Sequence, residues 1–430
     1  MDTQKARKTP KTPKARKTTF VRLRRVGARG RGSTWVPASA LILIAGTLFS
    51  RVGDSLASIG LVLDAAHQGL RWGVTEVFLA ELVPTVVAAP VIGALVDRLS
   101  ARTVCLWALA VQALSLGTAT VVDGFHVRVA LIAVSGLAGV ASVAAGFKML
   151  PAVAGEEHTG RANSLLTAGL SAAGLLGPAL AGLLHSLWGT AVLLGADAVS
   201  FLVLAWCTAL AVPRSVDVTI GRKAASKLSD GYRALRHAPV VGPLLPALAA
   251  AMLATSIEVV AGVYYLRGVA HGNDTVFGLF LATWALGAVP GALLAGRARW
   301  SSRHAALILG GVLGISLGLL FIGIVPVAAV IFPLSLLGGF GNGVCNVGLR
   351  NAVHTRVPAE VHGSAWACFQ ALSRCCIGLG YLLGTPNSLV SSRGQVIISG
   401  AIPLVAVVVA MLMTVRRKDA VLGEASQAST

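Results

Sequence analysis

The sequence predicts an all-α integral membrane protein whose twelve transmembrane helices form two six-helix bundles. Of 430 residues, 55% are hydrophobic and only 12% charged, with a mean hydropathy of +0.77. A soluble core cannot enclose that much apolar surface. The apolar residues also fall into runs of about 20, the length that crosses a hydrocarbon layer roughly 30 Å thick. A single long polar segment halfway along the chain divides these runs six and six.

The first six runs lie near 40–63, 74–96, 103–122, 127–150, 163–187 and 190–212. The second six lie near 243–266, 274–296, 305–325, 326–349, 361–385 and 394–415. Only Ile324, Val325 and Pro326 separate the ninth from the tenth, and Gly323 with Pro326 suits a tight turn there. The polar segment carries Arg214, Asp217, Arg222, Lys223, Lys227, Asp230, Arg233 and Arg236. The expected organisation is therefore a basic disordered tail over 1–37, a bundle over 38–212, a linker over 213–242, a second bundle over 243–416 and a tail over 417–430.

Two internal echoes point to a duplicated six-helix unit. Gly93-Ala-Leu-Val-Asp-Arg after the second run returns as Gly291-Ala-Leu-Leu-Ala-Gly after the eighth. The segment from Pro151 to Ala162, with Glu156, Gly160 and Arg161, returns as Pro358 to Ala365, with Glu360, Gly363 and Ser364.

Lys and Arg placement sets the expected orientation, because basic loops stay cytoplasmic. With the N-terminus inside, about 30 of the 36 basic residues face the cytoplasm. Arg71, Arg128, Arg267 and Arg393 fall on the other side, and Arg51 and Arg374 inside runs. Both termini are thus expected in the cytoplasm of a multi-pass protein of the plasma or inner membrane. The net charge of +19 does not imply nucleic acid, since about a third of the basic residues sit in the first 34 positions. That stretch has no apolar periodicity and reads as a topogenic tail over anionic lipid, or as a transit peptide. The six cysteines lie in or beside runs without paired extracellular spacing, so no disulfide framework is expected. No Cys and His cluster has the spacing of metal ligands, and no metal or cofactor is expected.

Gly93, Asp97, Arg98 and Arg102 stand between the second and third runs. Gly93 permits close helix approach, and Asp97 is placed to cap a helix or to pair with Arg98 or Arg102. This stretch resembles the loop motif of the major facilitator superfamily. The resemblance implies a loop that gates the cytoplasmic side and latches the halves in the outward-facing state; the second copy has Ala295 in place of the acid. In the fifth run, Gly174, Gly177, Pro178 and Gly182 resemble the Gly-Pro helix motif of the antiporter branch of that superfamily, with Ala173 and Ala181 where the pattern often has Gly. Arg51-Val-Gly53-Asp54, and Leu150-Pro151 through Gly160-Arg161-Ala162-Asn163, are similar to the twelve-span drug and siderophore exporter branch, which includes macrolide-efflux and enterobactin-exporter relatives.

An ionisable group at bilayer depth costs several kcal/mol unless paired or hydrated, so each one marks a site by default. Asp54, Glu81, Asp197 and Glu258 qualify, with Arg51 and Arg374 as basic counterparts. Asp54 follows Arg51 by three residues, so either the two neutralise each other on one helix face or Asp54 lines the pathway. Glu81 has two open placements, toward the pathway or a neighbouring helix. Glu258, near Thr255 and Ser256, is the most isolated charge and is either a proton or substrate carrier or a protonated structural group. Arg374 has Asp54, Glu258 or an anionic substrate as candidate partners, and Asp197 is expected to reach the interface. Asn342, Asn346, Trp366 and Gln370 are candidates to line a cavity; Tyr264, Tyr265 and Trp284 are weaker ones.

The expected function is export of a small amphiphilic organic compound, a drug, natural product or siderophore, by proton antiport with alternating access. Its partners are a small-molecule substrate, protons and the lipid bilayer, and no nucleic acid. An enzyme would show a metal-binding acidic cluster or a His-based catalytic set, and neither pattern is present. An uptake permease of the same fold and a non-transporting membrane sensor remain as alternatives.

Overall fold

A computed structural model of the chain describes residues 36–96, 99–214, 228–268, 272–297, 303–358 and 361–427. Residues 1–35 of the expected tail, Asp97 and Arg98 of the expected gating loop, and 215–227 of the expected linker lie outside the described residues. What is described is helical, with no strand.

The helices are α1 (Ala38–His67), α2 (Gly73–Val96), α3 (Ala101–Val121), α4 (Phe125–Ala154), α5 (Thr159–Ala211), α6 (Leu228–His237), α7 (Val241–Gly268), α8 (Asp274–Ala295), α9 (His304–Ile324), α10 (Ala328–Arg356), α11 (His362–Gly384) and α12 (Ser392–Gln427). Ten of them are long and apolar enough to cross a membrane. Helices suit that solvent because each satisfies its own backbone hydrogen bonds. The 24-residue α2 has the length and the apolar composition as well.

At 53 residues α5 is twice the length a bilayer needs, and it breaks at Gly189 (φ 73°, ψ 179°). Only glycine takes that left-handed φ without strain, so the chain reverses at one residue and the fifth and sixth spans become two legs of one element. The expected linker contains the ten-residue α6, whose Gly231 packs on the backbone at Ser364, the start of α11. α12 continues to Gln427, through the segment expected to be a tail.

Small residues bring the spans together, as expected where lipid supplies no hydrophobic drive between helices. Along α9 and α10, Gly318 faces Gly338 and Gly314 faces Gly341, at separations a Cβ would reduce to 2.9–3.0 Å. Trp284 of α8 packs on Gly338 and Gly339. Tyr265 is fully buried and donates to the Ile322 carbonyl at 2.7 Å, so it braces α7 against α9 and lines no cavity.

Successive spans alternate in direction, so their ends form two faces: a near face with both termini, and a far face opposite. Among the described residues, hydrogen bonds between the two halves gather at the far face. Tyr264 donates to the Leu70 carbonyl at 2.8 Å, Arg71 to the Pro386 carbonyl at 2.6 Å, and Thr75 meets Thr385 at 2.6 Å. Tyr264, a cavity candidate, is thus part of this seam.

Candidate functional site

Halfway along α1, Arg51 Nη1 lies 3.3 Å from Asp54 Oδ2, the local pair their spacing predicted. Their side chains are 58% and 39% exposed.

Asp197 is the first correction. It does not reach the interface: it is 2% exposed, and it accepts a hydrogen bond from Ser200 Oγ at 2.9 Å. The second leg of α5 begins directly after Gly189, which carries Asp197 two turns below the far face and against Gly53 of α1. A Cβ on Gly53 would collide with Asp197 Oδ1 and Ser200 Oγ, so glycine there makes room for the acid. Glu81 lies beside Ser58 and within electrostatic range of Asp54 and Arg51, and Asp197 in turn is in range of Asp54, Glu81 and Arg51. The first bundle therefore holds three carboxyls from three spans, and one guanidinium, in a single electrostatic group.

The second bundle holds Glu258, 4% exposed and without a hydrogen-bond partner among the described residues. Thr255 and Ser256 donate instead to the carbonyls of Ala251 and Met252, at 3.1 and 2.8 Å. Arg374 pairs with neither Asp54 nor Glu258. Its Nη1 donates to Thr85 Oγ1 at 2.8 Å, joining α11 to α2 at mid-depth. On α10, Asn346 Nδ2 donates to Asn342 Oδ1 at 2.6 Å. Arg350 stands 5.5 Å over the Trp366 ring, and Gln370 is exposed one turn along α11.

The helix motif of α5 divides its work. Gly177 seats against Ser55 of α1, and Gly182 against Gly278 and the Asp274 carbonyl of α8, while Gly174 faces open space. The Pro178 carbonyl meets Gly278. Of the loop motif, Gly93 lies within α2, and Arg102 donates to the Ala209 carbonyl at 3.1 Å, fastening α3 to the second leg of α5.

A cluster at the far face went unread in the sequence. Asp274 Oδ2, from the first residue of α8, lies 2.8 Å from His67 Nε2 and 2.7 Å from His185 Nδ1. Arg267 Nη2 sits against the His67 ring, 2.7 Å from Nδ1 and 2.9 Å from Nε2, and 3.7 Å from Asp274 Oδ1, and His185 Nε2 meets Thr190 Oγ1 at 3.1 Å. Beside it, Arg128 pairs with Asp64 at 3.5 Å. His67, His185, Asp274, Arg128 and Asp64 border a pocket of about 480 Å³ that also touches Trp188. Three donor atoms here lie within 4.8 Å of one another, as a metal ion would require. Their 2.7–3.0 Å separations are those of hydrogen bonds, and the guanidinium already supplies the positive charge. The available signal was Arg128 and Arg267, two of the basic residues that the positive-inside count left on this side; each has found an acid.

Residues 43–272 match the family model described as Major Facilitator Superfamily. The chain is 26% identical over 404 residues to the multidrug efflux pump Tap of Mycolicibacterium fortuitum, a match covering 88% of this chain and 97% of the pump. Among solved structures it is similar to the nucleoside transporter NupG (TM-score 0.68, 14% identity, 88% of this chain and 99% of that one). It is also similar to a bacterial homologue of the iron transporter ferroportin in an inward-facing state (TM-score 0.67, 20% identity, 87% of this chain and 98% of that one). The fold expected from the sequence is the fold of these transporters.

Proposed function

Because this chain belongs to the major facilitator superfamily, and is a transporter and not an enzyme, we propose that it exports a small amphiphilic organic compound in exchange for protons. The near face is then cytoplasmic, with both termini inside a plasma or inner membrane, as the placement of basic residues supports. Its working parts are the bundles over 38–212 and 243–416, tied by the linker over 213–242.

The observation that carries this reading is the disposition of acids. Asp54, Glu81 and Asp197 in one bundle and Glu258 in the other stand at depths where a bare carboxylate is costly, so each gains by binding a proton or a cationic group. Asp54 is partly exposed, while Asp197 and Glu258 are enclosed. In a rocking cycle these environments exchange, and proton and substrate affinities change with them. Arg374 spans the midline between the bundles and senses their separation. Asn342, Asn346, Trp366 and Gln370 supply polar and aromatic contacts for an amphiphile. Export is favoured over uptake by the seating of Gly177, Pro178 and Gly182, the antiporter-like motif, at the junction of α5 with α1 and α8, and by the likeness to an efflux pump.

The test compares compounds inside and outside cells by mass spectrometry with the gene deleted and restored. Export requires that a compound accumulate in the deletion strain and leave on restoration. In proteoliposomes its movement should be driven by an opposing proton gradient; entry that depends on the gene would overturn the direction.

A further inference from the structure

We propose that Arg350 is the docking point for an acidic group of the cargo, so that the second bundle selects amphiphiles with an anionic group beside a flat apolar body. The inference rests on the transport reading above and adds a substrate class to it.

α10 is packed on two of its sides. Gly338, Gly341 and Cys345 abut α9, while the Leu336 carbonyl, Gly339 and Gly343 abut α8. Two sides remain. One carries Val330 and Leu337, exposed apolar groups suited to lipid. The other, at the helical spacing of four, carries Asn342, Asn346 and Arg350. α11 is divided in the same way. Leu372, Leu379 and Leu383 form an exposed apolar ridge, and Trp366 and Gln370 lie on the opposite side. The two polar sides meet where Arg350 stands 5.5 Å over the Trp366 ring, so they face each other and not the lipid.

Arg350 is the charge on this wall without a counterpart. The ring attracts it but does not neutralise it. Among the described residues, no carboxylate and no hydrogen-bond acceptor meets its guanidinium. Arg51 has Asp54, Arg128 has Asp64, and Arg374 has Thr85. The neighbouring amides serve each other, since Asn346 donates to Asn342. A planar fork of five N–H groups without an acceptor matches a carboxylate in both charge and shape.

Arg350 lies six residues before the end of α10 at Arg356, about 9 Å along the axis. An arginine kept only to fix topology would reach outward to the headgroups, whereas this one lies against an aromatic ring of the neighbouring span. That indole offers flat apolar surface to the body of a ligand whose acidic group the guanidinium holds.

The test measures binding of rhodamine B and of its ethyl ester, dyes with one ring system that differ by a free carboxylate. Fluorescence anisotropy is read with the full-length protein in lipid nanodiscs, against empty nanodiscs as background. Wild type should hold the free acid about tenfold more tightly or better, the strength of one hydrogen bond to a charged group. Arg350→Gln should bind both dyes alike, and Arg350→Lys should keep a reduced preference. Arg356→Gln, at the end of the same helix, should keep the full preference. The proposal is overturned by equal affinity of wild type for the two dyes, by no saturable binding of either, by a preference that survives in Arg350→Gln, or by equal weakening of both dyes in that variant. Proton-driven exchange in proteoliposomes tests the proposed function separately: the expected dye pattern without flux would remove the export reading and leave this site in place.

Discussion

Gly182 and Gly278 face each other across the seam between the halves, so close that a Cβ built on either lies 2.9–3.0 Å from the other's Cα. The antiporter-like helix of the first bundle thus touches the second bundle backbone to backbone while the far face is shut.

Gly182→Leu should hold that face open. Over-packing a tight contact costs about 1–3 kcal/mol, which here falls on the closed state and shifts the balance by roughly 5- to 150-fold. Transport should drop accordingly, while thiol labelling of Thr75→Cys, buried in the seam of the parent protein, should rise. Unchanged labelling with lost transport would point to misfolding instead.

Gly53→Ala should displace Asp197 and Ser200 without touching the partly exposed Asp54. We expect a loss of about 1–3 kcal/mol in stability, read as a lower melting temperature in detergent. Asp197→Asn keeps the volume and should melt near wild type, but with proton-driven flux reduced. Full flux in Asp197→Asn would remove that acid from the coupling group.

Glu258→Gln replaces a carboxyl that has no described partner by an amide of the same shape. Stability should change by less than about 1 kcal/mol. Substrate should still bind, and the response of flux to an imposed proton gradient should be lost. A pH dependence of transport identical to wild type would make Glu258 a structural residue.

Arg374→Met and Thr85→Val remove the two ends of one charged hydrogen bond. A double-mutant cycle on stability should give a coupling of about 1.5–3 kcal/mol. A cycle that sums to zero would mean that Arg374 holds its place through other contacts.

Much of this architecture could be read from the chain, because span length and the placement of basic residues are properties of composition. Runs of about 20 apolar residues and the polar stretch at 213–242 gave the helix order, and Arg51 with Asp54 gave a pair three residues apart. What escaped was everything decided by a partner distant in sequence. Asp197 is buried because Gly53 lacks a side chain, and Arg374 chose Thr85 over an acid. His67, His185, Arg267 and Asp274 come from four helices, and no spacing announces them. The break between the runs ending at 187 and beginning at 190 was legible, but not that Gly189 alone, one glycine among 49, makes the turn.

That reversal, with the other short connections opposite the termini, leaves the far face nearly bare. Its links run over 68–72, 122–124, Gly189, 269–273, 325–327 and 385–391, none longer than seven residues. The longest is itself pinned, since Asn387 caps the N–H groups of Leu389 and Val390. Links this short give an antibody, a protease or an inserted tag little to engage. Reagents of the size of a buffer ion or a thiol probe suit this side of the molecule better.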